Sequence, residues 1–351
     1  MRHKLKPLPE QVIVITGASS GIGLVTARRA ATAGARVMLV ARNEEALREI
    51  TESLKAAGFE ADFAVADVGV REDVEAAAQK TVGRFGRIDT WVNNAGASIF
   101  ARAEDTPFDE HERLFRTNYF GVVHGSLVAL KHLRAEGGAL ITTGSILSDM
   151  PAPLQTAYAA TKHAVKGFIE SLRMELTAEG APVSVTLIKP SGIDTPIARR
   201  AAAHVDGRAR IPPPVYDPVL VARAILHAAE HPRRSITVGG GGRAQVLLAT
   251  HFPQALDAMS PLVLPAVVTP DEPHRNGPGD LFRPHQGGSE RSEEQSGFTI
   301  SPYTEAQLRP LATAAVLGAA ALGLGALMMR GRNGRSGTNR TAERLERMGP
   351  T

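Results

Sequence analysis

The feature that most constrains this chain is an alternation of two hydrophobic periods. Short apolar runs occur at Val12–Ile15, Arg36–Val40, Glu60–Val65, Thr90–Asn93, Ala139–Thr143 and Val183–Ile188. Longer amphipathic runs lie between them, at Gly23–Thr32, Glu44–Ala57, Arg71–Phe85, Asp109–His132 and Ala157–Glu179. Strands covered on both faces are continuously apolar, and parallel neighbours need a crossover helix. The pattern therefore predicts an α/β fold with a doubly wound parallel sheet in a single domain.

Charge and cysteine content remove several functions. The chain has no cysteine, which excludes disulfides, Cys-ligated zinc, iron–sulfur clusters and a thiol nucleophile. The formal charge of +4 resides in the C-terminal tail, where six arginines from Arg330 to Arg347 face only Glu343 and Glu346. Residues 1–329 carry 34 basic and 34 acidic groups, so the body has no electrostatic footprint for nucleic acid. Met1–Lys6 is basic, but Val12–Ile15 is too short for a signal core and runs into a Gly-rich turn.

Beyond about Gly242 the alternation fades. Residues 270–302 are rich in Pro, Gly, Ser and charge and read as a flexible linker. Leu311–Met329 is uncharged for 19 residues and bracketed by Arg309 and Arg330. That length suits a transmembrane helix, with Ala315, Ala319 and Gly323 as a small-residue row. An Ala/Gly-rich helix packed on its own domain is the other reading. The arginines after it predict a cytoplasmic C-terminus, which conflicts with a cytoplasmic domain before it.

The first apolar run leads into Thr16-Gly17-Ala18-Ser19-Ser20-Gly21-Ile22-Gly23. Glycine lets a pyrophosphate approach the backbone, and a helix N-terminus offers N–H groups and a positive dipole end. The second run ends Val40-Ala41-Arg42-Asn43. No acid is present there to bind a ribose 2′-hydroxyl, and Arg42 suits a 2′-phosphate, so NADP(H) is expected over NAD(H). Asp67, after the third strand, is a candidate acceptor for the adenine amino group.

Tyr158 and Lys162 are one helical turn apart and share a face. A nearby ammonium favours the phenolate, as does an oxidised nicotinamide, and together they would make the phenol a usable acid or base. Ser145 follows the Ala139–Thr143 strand, Asn118 lies in the long helix before it, and Asn93-Asn94-Ala95-Gly96 ends the fourth strand. All fall at the carboxyl edge of a parallel sheet, where such folds bind ligands.

In order and spacing, TGASSGIG, NNAG, Asn118, Ser145 and YAATK at 158–162 resemble the short-chain dehydrogenase/reductase family over about residues 8–240. The resemblance implies Tyr158 as acid/base, Lys162 as partner of the nicotinamide ribose, Ser145 as the group orienting substrate, and Asn118 as anchor of a proton-relay water. It implies cofactor contacts at Gly17, Ser19, Ser20, Gly21, Ile22, Gly23, Arg42, Asp67, Val68, Asn94, Ala95, Gly96, Tyr158, Lys162, Pro190, Ile193 and Thr195. Family members need no metal for their chemistry. Pro190-Ser191-Gly192 departs from the family's usual Pro-Gly, and Gly144 stands where many members carry serine.

The expected organisation is a Rossmann-type catalytic domain at 1–245, its extension at 246–269, a linker at 270–309, the apolar helix at 310–330 and a basic tail at 331–351. The expected function is NADP(H)-dependent interconversion of a secondary alcohol and a ketone, on a small and lipophilic substrate. The alternative is an NADP(H)-binding regulator or scaffold without turnover. Pro196–Val215 would form a variable substrate lid, and its Arg199, Arg200, His204, Arg208 and Arg210 read as a solvated face or, alternatively, as groups that meet an acidic substrate. By resemblance the chain is a homodimer or homotetramer with a cytoplasmic catalytic domain, and Leu311–Met329 is its candidate membrane contact.

Overall fold

The computed structural model describes residues 4–269, 276–284, 287–315 and 318. The chain divides into two compact units after Thr304. The first holds a seven-stranded parallel sheet. Its strands are β1 (Val12–Thr16), β2 (Arg36–Ala41), β3 (Ala61–Val65), β4 (Thr90–Asn93), β5 (Gly138–Thr143), β6 (Val183–Pro190) and β7 (Ser235–Val238). They are ordered β7-β6-β5-β4-β1-β2-β3, so the winding reverses between β1 and β4. There Ile13 pairs with Val37 on one side and Thr90 on the other.

Side-chain alternation divides the core between the two faces. Val12, Val14, Met38, Trp91 and Leu140 pack with Val74 and Phe85 of α3 (Arg71–Phe85). The same cluster holds Val128 and Leu133 of α5 (Gly121–Glu136), and Val165 and Ile169 of α6 (Thr156–Ala178). On the other face α1 (Gly21–Thr32) packs closely against α7 (Pro218–Glu230).

Helix α7 and strand β7 lie beyond the expected alternation. Asp217 caps α7 by accepting from the Val219 N–H, and Pro218 sits in its first turn, a start signal legible in the sequence. Past Gly242 the chain continues as α8 (Gly240–His251) and α9 (Pro253–Val267). The expected helix Asp109–His132 is interrupted: α4 (Phe108–Phe115) passes into α5 through a π-helical turn at Arg116–Phe120.

The segment expected as a flexible linker is fastened to the domain. Ala203 exchanges two backbone hydrogen bonds with Gly277, each of 3.0 Å, and Asp217 and Val215 bracket Phe298 in the same way. Buried Ser292 donates to Asp194 through both its N–H and its hydroxyl. Charge explains the attachment: Glu294 pairs with Arg199 and Arg208, Glu290 with Arg28, and Arg291 with Asp217. A composition that resembles a linker supplies here the counter-charges of the domain's own arginines.

Of the second unit, residues 305–315 and 318 are described, as short helical turns. Most of the candidate apolar helix and all of the basic tail lie outside the described residues. Among the described residues no helix is long and apolar enough to cross a membrane.

Candidate active site

A groove crosses the carboxyl ends of the strands at the point where the winding reverses, the expected ligand site of a doubly wound sheet. It holds two cavities, of about 200 and about 620 Å³. Ile22, Asn94, Gly96, Ser98, Thr195 and Ile197 line both, so one continuous wall joins the two ends.

The smaller cavity is built on the Gly-rich turn between β1 and α1. Gly17 adopts φ +68°, and a Cβ there would come within 2.8 Å of Ala95 Cα. At Gly23 a Cβ would meet the Gly17 carbonyl at 2.2 Å, so both positions exclude side chains. Thr16 fastens the turn to the end of β4: its hydroxyl accepts from the N–H groups of Asn94 and Ala95. The Asn94 amide donates to the Thr16 carbonyl, and its oxygen accepts from the Thr143 hydroxyl. Ser19, Ser20, Gly21, Arg42, Asp67, Val68, Ala95 and Gly96 line the same space.

Arg42 leaves the end of β2 and is half-buried. Burial holds its guanidinium below the usual arginine range, against the pull of Asp67. Asp67 accepts from the Gly69 N–H at 2.9 Å and from Arg113 at 2.5 Å. Arg113 was not expected at this site. It lies on α4, far from the nucleotide motifs in sequence, and only the fold delivers it there. The donors available, guanidinium groups and backbone N–H groups at a helix start, suit a phosphate-bearing dinucleotide.

The larger cavity carries Ser145, Tyr158 and Lys162 on one wall, with Pro190, Ile193 and Thr195 opposite the Gly-rich turn. Ser145 ends the β5 loop in a capping box, accepting from the Leu147 N–H while Ser148 accepts from its own N–H. Tyr158 and Lys162 stand one turn apart on α6. The Lys162 ammonium donates to the Thr143 carbonyl at 3.0 Å and lies 5.5 Å from the centre of the Tyr158 ring.

The phenol is not brought down as expected. Burial pushes Tyr158 up to about 12, with the Ser145 hydrogen bond acting in the opposite direction. Burial also pushes Lys162 down to about 8. Withdrawal from water disfavours both charged forms.

Asn118 sits in the π-helical turn, a type of distortion common at functional sites. Its oxygen accepts from the Ala97 N–H, and its amide donates to the Ala97 carbonyl and the Thr161 hydroxyl. Thr161 in turn donates to the Tyr158 carbonyl, so a residue missed in the sequence links Asn118 to the helix of Tyr158.

A family model described as short chain dehydrogenase matches residues 11–206. The chain belongs to the short-chain dehydrogenases. The Bacillus subtilis protein named uncharacterized oxidoreductase YxnA is 44% identical over 321 residues, 90% of each chain. An Arachis hypogaea protein named 11-beta-hydroxysteroid dehydrogenase A is 37% identical over 191 residues, 54% of each. Among solved structures, an alcohol dehydrogenase from Thermococcus sibiricus, complexed with 5-hydroxy-NADP, aligns at a TM-score of 0.58 and 27% identity. It covers 65% of this chain and 95% of its own. A Burkholderia phymatum short-chain dehydrogenase/reductase in complex with NAD shares the fold at a TM-score of 0.66 and 24% identity, over 77% of this chain and all of its own.

Two features distinguish this short-chain dehydrogenase locally. Ser191, where the family usually has glycine, turns its hydroxyl onto the Val238 and Gly239 carbonyls at the end of β7. The basic residues of the lid are solvated in part, the Arg199 side chain being 46% exposed, and several are also paired. Arg199 and Arg208 pair with Glu294, His204 with buried Glu110, and Arg210 donates to the Ala266 carbonyl.

Proposed function

We propose that this short-chain dehydrogenase is an NADP(H)-dependent oxidoreductase that interconverts a secondary alcohol and a ketone on a lipophilic substrate. The observation that carries this reading is the setting of Ser145, Tyr158 and Lys162 on the wall of an apolar cavity continuous with the nucleotide groove. Phe100, Leu147, Met150, Leu248, Met259 and Val263 line it. At about 620 Å³ it lies within the usual range of small-molecule pockets, about 300–1,000 Å³.

The groove residues would hold NADP(H), which would supply or accept the hydride. In ketone reduction the Tyr158 hydroxyl gives its proton to the substrate oxygen, and Ser145 donates a hydrogen bond to the same oxygen. A phenol held neutral by burial suits that direction. Lys162, brought near neutrality by burial, is suited to return a proton to Tyr158. Asn118 would anchor the water that connects Lys162 to solvent. Gly17 to Gly23 would cradle the pyrophosphate, Asp67 and Val68 the adenine, and Arg42 a 2′-phosphate. Asn94, Ala95 and Gly96 would lie along the ribose, with Pro190, Ile193 and Thr195 at the carboxamide. The 5-hydroxy-NADP of the Thermococcus enzyme and the steroid named for the Arachis relative support the choices of cofactor and substrate class.

The test is NADPH oxidation with ketones of increasing apolar size, in the full-length protein and in Tyr158→Phe. Turnover that grows with apolar size and disappears in the variant is expected. Near-normal turnover in Tyr158→Phe overturns the assignment. Cofactor binding without turnover on any carbonyl would leave the regulator reading in its place.

A further inference from the structure

The C-terminal segment does more than cover the domain: it enters the nucleotide end of the groove. Arg42 donates to the Asp280 carbonyl at 2.5 Å and to the Leu281 carbonyl at 3.0 Å. Arg113 donates to the same Leu281 carbonyl at 3.0 Å. Two guanidinium groups from distant elements thus converge on one neutral oxygen. Guanidinium forks are matched to carboxylate and phosphate; Asp67 pairs with Arg113, Asp67 and Asp280 both draw Arg42, and the peptide carbonyl adds no charge of its own.

The same segment takes a donor from the Gly-rich turn. Gly21 N–H donates to the Ser289 carbonyl at 2.9 Å, and Gly288 N–H to the Ser19 carbonyl at 2.8 Å. Asp280 and Pro284 line the cavity at this end, about 200 Å³, so the segment shares the space open to a nucleotide.

Two local features hold the segment there. Leu281 is 1% exposed and packs with Ile99, Leu114, Ala157 and Ala202. Gly279 adopts φ +51°, and a Cβ there would lie 2.4 Å from the Ala201 carbonyl and 2.5 Å from that of Arg200. Neither residue belongs to the expected catalytic or cofactor set.

We propose that Arg42 and Arg113 form a paired-guanidinium site for the 2′-phosphate of a phosphorylated adenine nucleotide, filled by the Asp280 and Leu281 carbonyls until that phosphate displaces them. The inference rests on the dinucleotide reading of the groove and adds to it a second phosphate ligand and a built-in competitor. A nucleotide without the 2′-phosphate gains nothing from the pair and leaves the segment in place. If the segment is closed nine-tenths of the time, it lowers apparent affinity about ten-fold, and loosening it restores that factor.

The experiment is calorimetric titration of the full-length protein with adenosine 2′,5′-bisphosphate and, in parallel, AMP. Arg113→Gln should weaken the bisphosphate at least about five-fold and AMP less than about two-fold. Gly279→Val and Leu281→Ser should each tighten the bisphosphate by about three- to ten-fold. Limited trypsin digestion reads the segment directly: the bisphosphate should speed cleavage at Arg283, and AMP should not. Weaker bisphosphate binding in the two segment variants, or protection of Arg283 by the bisphosphate, would show a closing lid and overturn the competitor. Equal effects of Arg113→Gln on both ligands would overturn the paired site. If neither ligand binds the wild-type protein, the dinucleotide reading itself falls and this inference with it.

Discussion

The two ends of the ligand groove are built from opposite materials. The nucleotide end is the more polar of the two, with Arg42 and Asp67 in its wall and Arg113 behind Asp67, and a distant stretch of chain lies across it. The substrate end is three times larger, lined mainly by apolar side chains: Phe100, Met150, Leu248 of α8, and Met259 and Val263 of α9. Buried polar groups are costly to leave without partners, and at the nucleotide end the Asp280 and Leu281 carbonyls accept from Arg42. An apolar wall has no such requirement and tolerates open space. The chemistry of each lining thus determines whether an end is filled or open.

The largest expected effect lies where the two ends meet. Tyr158→Phe should lower turnover by about 10²- to 10⁴-fold while thermal stabilisation by NADPH is kept. Loss of that stabilisation together with turnover would mean that the hydroxyl builds the site rather than working in it.

Lys162 gives the next. It is 5% exposed and pushed down to about 8 by burial, so its charged form is destabilised by the fold. Lys162→Met should lower turnover, by less than Tyr158→Phe does, yet stabilise the protein at pH 7 by up to about 3 kcal/mol. Between pH 8 and 10.5 the unfolded wild-type chain binds more protons than the folded one, so wild-type stability rises with pH in that window. The advantage of the variant should therefore be full below pH 8 and gone above about 10.5. Melting curves across this range check it, and a difference that does not change with pH would contradict the burial argument.

At the nucleotide end, Arg42→Gln should weaken NADPH by about 1.5–3 kcal/mol and NADH by much less, read by parallel thermal-shift titrations. Equal losses would place Arg42 outside the 2′-phosphate site. At the substrate end the expected effect is smaller. Leu262 lines the larger cavity and is 77% exposed. Leu262→Glu should raise KM for bulky apolar ketones by roughly 1–2 kcal/mol and leave small ketones unchanged. A uniform rise for both would point to misfolding of α9 instead of a lost apolar contact.

How much of this was legible follows from how local each signal is. The Gly-rich turn, NNAG and the Tyr158–Lys162 pair are short motifs whose meaning depends on neighbours a few residues away. The groove assembles them because they end or follow parallel strands. Arg113 carried no signal, since nothing around it in the chain mentions Asp67 or Arg42. The π-helical turn holding Asn118 was hidden inside a continuous amphipathic run. The segment after residue 276 was misread because its partners, Arg199, Arg208 and Arg42, lie in other parts of the chain.

By itself the sequence determined the α/β alternation, the site of the dinucleotide turn and the identity of the groups beside it. Those depend on periodicity, glycine geometry and spacing along the chain, all local quantities. Only the tertiary structure decided that Tyr158 is raised rather than lowered, because desolvation depends on what packs around the ring. It also decided that a polar, Pro- and Gly-rich stretch is fastened into the nucleotide end. Ion pairs and hydrogen bonds hold it, that of Arg28 with Glu290 spanning 262 positions, and no local pattern encodes them.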